Sequence, residues 1–273
     1  MKSFLTFIFI LLLAGVAVYY YLQNEHVRNQ LPQTENTEPL QLPVDPTPEI
    51  AHPITESPVI IGDSGEEKPV EKETEEPLPA LEDSDDRVKQ ILSGIIGSDV
   101  VEKFFRGTGL IHRFVVTVDS LPKNALPIKI RLLPPVSGKF LVHEVSRENI
   151  TIDPENFKRY DTYIQLFGKL DTEQFVKWYT RFYTLIQEDY DSLGYKNLYF
   201  NDRFVFVIDH LLETPEEISN IQLVQPKVFY NFADPSLQNL SSGQKILIRV
   251  GPANMAIIKA KLAEIRKRIT ATQ

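Results

Sequence analysis

The chain has 273 residues with 29 basic and 37 acidic side chains, a formal charge of −8, and no cysteine. The missing thiol excludes a disulfide framework, a catalytic thiolate, cysteine-ligated zinc and an iron–sulfur cluster. The net negative charge argues against general nucleic-acid binding, and the length is enough to bury a core without a metal or staple.

These averages conceal three compositions. Residues 1–22 carry one charge, Lys2, whereas residues 23–86 hold 17 acidic and 3 basic residues with ten prolines and no Phe, Trp or Tyr. Residues 87–273 hold 20 acidic and 25 basic residues and 22 of the 28 aromatic side chains. The predicted order is an anchor over 1–22, an acidic proline-rich disordered linker over 23–82 and a globular domain over 83–273.

Phe4 to Leu22 is an uncharged run of 19 residues, enough to cross a hydrocarbon core of about 30 Å as a helix. Tyr19, Tyr20 and Tyr21 suit one membrane interface, and Lys2 on the short flank places the N-terminus in the cytoplasm. The alternative is a signal peptide cleaved near Gly15-Val16-Ala17. Either way residues 23–273 are exported. The linker has too few large apolar residues to offset ordering entropy, and as a coil it spans about 45 Å root-mean-square. Its acid run reads as a solvated spacer, with a docking motif for a basic partner as the alternative.

From Ser84 the apolar spacing becomes helical: Val88, Ile91, Leu92 and Ile95 form one stripe, and Val100, Val101, Phe104 and Phe105 a second, with Ser84 and Ser98 as expected N-caps. Residues 110–118 keep a 3.6 period despite their β-branched content and predict a buried helix. Pro122, Pro127, Pro134 and Pro135 predict an extended crossing, followed by a hairpin from Phe140 to Val145 and Ile150 to Ile152. Asp153-Pro154-Glu155 is a helix start that carries Phe157, Tyr160, Ile164 and Phe167 to Gly168. Asp171 caps a helix whose aromatic stripe, Phe175 to Tyr190, reads as core and ends at Gly194. A helix from about Leu198 to Glu213 follows, then an extended stretch from Leu223 to Phe232, a short helix after Asp234-Pro235 and a final helix pair from Ser242 to Ile269. Met255, Ile258, Leu262, Ile265 and Ile269 form the last apolar seam, with Lys259, Lys261, Arg266, Lys267 and Arg268 away from it.

The sequences that resemble catalytic motifs are incomplete. Gly62-Asp63-Ser64-Gly65 matches the surroundings of a trypsin-like nucleophile but lies in the acidic arm, without the barrels that assemble a triad. Ser120-Leu121-Pro122-Lys123 and Ser242-Gly243-Gln244-Lys245 match S-x-x-K without its companion signatures, and Ser242 reads better as a helix cap. Gly107-Thr108-Gly109 lacks the third glycine of a dinucleotide site. His112 and His143 are isolated.

The remaining cluster is Tyr199 to Arg203 with Asp209-His210. On a helix, Asp202, Phe206, Asp209 and Glu213 share one face with Arg203 and His210 beside it, opposite Phe204, Val207, Ile208 and Leu211. Such carboxylates beside a histidine serve acid–base chemistry or hold a cation. The structural reading has Asp202 favouring the helix dipole, and Arg203, His210 and Asp209 pairing with neighbouring helices.

The segments FVVTVDSLP, YFNDRFVFVIDHLL and LVQPKVFYNFADPSLQNLSSGQKILIRVGPAN resemble the bacterial family called domain of unknown function 3014, over most of residues 80–270. The resemblance implies a single-pass envelope protein with this domain behind a proline-rich arm, and transfers no catalytic or binding residue. It places Asn201, Asp202, Arg203, Asp209, His210, Gln225 and Pro226 in family-typical segments.

The expected architecture is a mainly α-helical globular domain with a minor β-hairpin or extended element, held in the periplasm by one transmembrane helix in the bacterial inner membrane. No cofactor, metal or nucleic acid is expected, and the oligomeric state stays open. The expected role is an interaction module for an envelope protein or anionic polymer. Candidate binding residues are Asn201, Asp202, Arg203, Asp209, His210, Lys261, Arg266 and Arg268. The alternative is an envelope hydrolase using carboxylates of the 202–213 helix, which requires Asp202, Asp209 and Glu213 to line a concave pocket.

Overall fold

The computed structural model describes residues 50–54, 77–146, 149–216 and 220–271, all within one compact unit that begins at Thr47. The predicted span over 4–22 and the Gly62–Gly65 motif lie outside the described residues. Among the described residues no helix is long and apolar enough to cross a membrane.

The chain enters the domain through a 3-10 turn, Leu81–Asp83, and the helices α1 (Asp85–Ile96), α2 (Ser98–Phe104) and α3 (Leu110–Ser120). The helical periods at 84–105 and 110–118 therefore hold. Their caps differ from expectation. The Ser84 hydroxyl donates back to the Leu81 carbonyl, and Gly97, with φ +93°, stands where Ser98 was expected to cap. Asp85 instead reaches across from α1 to accept the N–H groups of Gly109 and Leu110 at 2.7 and 2.8 Å, capping α3 from a neighbouring helix.

After the proline-rich crossing, β1 (Val142–Ser146) and β2 (Asn149–Ile152) form the expected hairpin. The sheet is larger than that hairpin. The later stretch supplies β3 (Gln222–Val224) and β4 (Asn231–Phe232), and all neighbours pair antiparallel in the order β1-β2-β3-β4. Ile150, Ile152, Leu223 and Phe232 are buried together with Ile248, so one sheet face packs on the helices.

Two expected single helices are broken. The first becomes α4 (Glu155–Lys158) and α5 (Asp161–Gly168), the second α6 (Thr172–Arg181) and α7 (Tyr183–Ser192). The second break, at Phe182, lets the halves serve different neighbours, because α6 packs on the C-terminal helix while α7 packs on α3. Tyr179, Phe182 and Ile186 are all fully buried around it. The aromatic stripe is therefore core, as its spacing predicts.

The central helix α8 (Phe200–Leu212) is followed, after β4, by α9 (Pro235–Gln238), α10 (Ser242–Arg249) and α11 (Pro252–Thr270). Ser241, not Ser242, caps α10: its hydroxyl accepts the Gln244 N–H while the Gln244 side chain accepts the Ser241 N–H. Gly251 separates the last two helices at φ +90°, and a side chain there would meet the Phe157 ring at 2.6 Å. On α11 Met255, Leu262, Ile265 and Ile269 of the predicted seam are buried and Ile258 is half-buried, but Lys259 joins them. Its ammonium leaves the apolar stripe to donate to the Thr214 carbonyl and Glu216, each at 2.6 Å, which satisfies a charge the spacing had placed outside.

Residues 50–54 and 77–80 lie inside the span read as linker, yet Ile54 and Leu78 pack against the helical core. Composition averaged over the arm hides these short apolar stretches.

Candidate functional site

The N-terminus of α8 is built from both sides. Phe200, Phe204, Ile208 and Leu211 point inward and fix the helix in the core, while Tyr199 precedes it in extended backbone. The first helical N–H groups find partners on α7 rather than in a local cap: Phe200 donates to Gln187 Oε1 at 2.8 Å and Asn201 to the Tyr183 hydroxyl at 3.1 Å. Asp202, in the first turn, is thereby left to bond outward.

Asn201 is fully buried, and its side-chain orientation follows from its partners. Burial pushes the Tyr179 and Tyr183 hydroxyls well above the ordinary tyrosine value, so both stay protonated. Tyr179 donates to Asn201 Oδ1 at 3.0 Å, which leaves Asn201 Nδ2 to donate to the Ile269 carbonyl at 3.3 Å and to the His52 carbonyl at 2.9 Å.

The last of these bonds belongs to a strap formed by residues 50–54. Asp202 accepts the backbone N–H of Ala51 at 3.1 Å and of His52 at 2.7 Å, one on each carboxylate oxygen. The Tyr199 hydroxyl accepts the Ile54 N–H at 2.7 Å. Tyr199, Asn201 and Asp202, at and just inside the start of α8, thus grip four main-chain groups of a segment that bends at Ala51 and His52. The two bonds to the Asp202 carboxylate are the stronger ones, the buried side of the pair being the bond from His52.

The other candidate residues on α8 face structural partners. Arg203 donates through Nε to the buried Asp119 carboxylate at 2.9 Å and through Nη2 to the Asp119 carbonyl at 3.0 Å, and its guanidinium lies 5.2 Å over the exposed Phe206 ring. Lys123 completes the neutralisation at 2.6 Å, and this bond raises the lysine above its ordinary value. Beside it, burial pushes Tyr190 up to about 12. Asp209 takes a two-pronged pair with Arg266, while His210 Nε2 lies 2.9 Å from the Ser241 hydroxyl. These are the helix-to-helix pairings of the structural reading.

The acid–base arrangement is not assembled by these residues. Asp202 grips the strap, Asp209 is paired and Glu213 is exposed, so the three carboxylates do not converge on a common pocket. On α11, Lys261 bonds Glu264 at 2.7 Å and Thr172 at 3.2 Å, and Arg268 is exposed. Lys245 reaches the Gln238 carbonyl, away from Ser242, which leaves that S-x-x-K match without its serine–lysine contact. Among the described residues no three His, Asp or Glu side chains converge as a metal site.

His112 is not isolated, contrary to expectation. Its Nδ1 lies 3.0 Å from Asp189, whose buried carboxyl is held above the ordinary range by desolvation. His143 lines a cleft of about 260 Å³ between the sheet and α11, with Glu216 and Asn220.

Sequence reasoning reached Asn201 and Asp202 but placed Tyr199 only within the cluster, not among the binding residues, and missed the strap that its hydroxyl meets. A signal was present. Ile50 and Ile54 flank a histidine and a proline in a stretch that is otherwise acidic and polar.

Residues 110–266, more than half of the chain, match the family described as a protein of unknown function (DUF3014). The match includes Tyr199, Asn201 and Asp202 and leaves the strap outside. No curated protein and no solved structure matches the chain.

Proposed function

The chain belongs to the DUF3014 family, and for it we propose a binding role: a membrane-tethered interaction module whose folded domain holds a polypeptide segment by its main chain through the Tyr199, Asn201 and Asp202 cradle. The observation that carries the reading is the strap itself. Four main-chain hydrogen bonds to residues 51–54 supply affinity that depends little on side chains, the logic by which extended peptides are held elsewhere.

The tether belongs to the same proposal. Its support is the uncharged run from Phe4 to Leu22 flanked by Lys2, which anchors the chain in a bacterial inner membrane and leaves the domain in the periplasm. The partner is then a polypeptide segment of an envelope protein. The contact surface moves from the basic helix to α8, because Lys261 and Arg266 already bond Glu264 and Asp209.

The test uses the full chain with its strap weakened by Ala51→Pro and Ile54→Asp, which remove one donor and the apolar anchor. A labelled peptide spanning residues 48–57 is expected to bind this chain, followed by fluorescence anisotropy. Adding Asp202→Ala should weaken binding at least tenfold, since both bonds to the carboxylate disappear. Undiminished binding in the Asp202→Ala chain would contradict the reading.

A further inference from the structure

On the reading just given, we infer that the cradle selects segments in which a proline is followed by an aliphatic residue, and that the molecule's own strap is a built-in competitor for such ligands. The register of the contacts carries the first half. Backbone N–H groups are taken at positions 51, 52 and 54, and the skipped position is Pro53, which has no N–H to place.

Proline also restricts the residue before it to extended backbone. That presents the N–H and the carbonyl of His52 together, the two groups that Asp202 and Asn201 grip. The next residue, Ile54, packs against the helical core as an aliphatic anchor, with the half-buried His52 side chain beside it in the register. Residues 50–54 contain no Asp or Glu, so no carboxylate in the strap opposes that of Asp202. The chemistry recognised is therefore two free N–H groups, a proline, then an aliphatic side chain with a free N–H.

The same pairing of proline with Leu or Val recurs in the arm at 39–40, 43–44, 58–59, 69–70 and 77–78. Only the pair at 43–44 has two uncharged residues before its proline, Gln41 and Leu42, whereas each of the others has a glutamate there, so one further arm segment offers the strap's chemistry. The segment that occupies it is tethered to it, and a tethered ligand acts at an effective concentration of about a millimolar. A segment from another protein must displace it, so the strap sets a threshold on capture.

The experiment compares two peptides on two hosts. The peptides are residues 48–57 and the same sequence with Pro53→Ala and Ile54→Ser, and the hosts are the unaltered full chain and the Ala51→Pro/Ile54→Asp chain. Thermal unfolding of the second host confirms that it folds, and a host with His52→Pro alone provides an independent strap variant. The native peptide is expected to bind the weakened hosts at least tenfold more tightly than the unaltered chain, and the altered peptide to lose about tenfold on the weakened hosts.

The outcomes separate. Equal binding of both peptides to the weakened hosts overturns the selection and leaves the main-chain cradle standing. Equal affinity of the native peptide for unaltered and weakened chains overturns the built-in competitor. Absence of binding to every host overturns this inference together with the cradle reading beneath it.

Discussion

Asn201→Ala is expected to destabilise the domain by about 3 kcal/mol and to remove one of the strap's four main-chain bonds in the same step. The side chain is fully buried and sits at the meeting point of three elements, accepting from Tyr179 on α6 and donating to the Ile269 carbonyl on α11 and the His52 carbonyl of the strap. Truncation leaves the Tyr179 hydroxyl and the Ile269 carbonyl buried without these partners, and each such orphan costs about 1–3 kcal/mol. Urea unfolding of the full chain measures the loss through the shift of the midpoint at unchanged slope. A loss below about 1 kcal/mol would show that the network is not closed through Asn201.

Arg203→Ala is expected to cost a similar amount, about 3 kcal/mol, by a different route. Asp119 is 4% exposed and takes the Arg203 guanidinium at 2.9 Å, so removing the arginine strips a buried carboxylate of one of its two cations. Lys123, at 2.6 Å, remains and keeps the loss at the lower end of what breaking a buried pair costs. Arg203→Lys retains a charge but not the second bond to the Asp119 carbonyl, and should recover only part of the stability. The same unfolding assay decides the matter. An Arg203→Ala chain as stable as the unaltered one would free Arg203 from this structural role and return it to the pool of surface residues available to a ligand.

The helices of the domain were legible because their apolar faces repeat at 3.6 residues and because Asp171 and Asp234 cap their helices with their own side chains. What escaped the sequence is governed by tertiary contacts. Asp85 caps α3 from another helix, and Gln187 and Tyr183 satisfy the start of α8, so no local spelling announces either end. The break at Phe182 has no glycine or proline to mark it, because its origin lies in the two neighbours that α6 and α7 must reach. Lys259 reads as a surface residue by charge, and only the Thr214 carbonyl and Glu216 beyond the seam explain its burial.

The candidate site was half legible for the same reason. The polar run from Asn201 to Arg203 stands out on an otherwise apolar helix, so its residues are recognisable as special. Their separation into a core tie at Arg203 and an outward cradle at Asn201 and Asp202 depends on Asp119, Tyr179 and Ile269, which lie far away in the chain. The strap was hidden by averaging. Ala51 to Ile54 is a short apolar stretch within a segment whose overall composition is that of a linker.

The most direct test of the account is amide hydrogen exchange in the full chain, read residue by residue by NMR. With the strap held in the cradle, the amides of Ala51, His52 and Ile54 should exchange at least about tenfold more slowly than the intrinsic rates for their sequence, and Asp202→Ala should return Ala51 and His52 to those rates. Intrinsic exchange at all three amides in the unaltered chain would contradict the central claim that this domain grips the strap by its main chain.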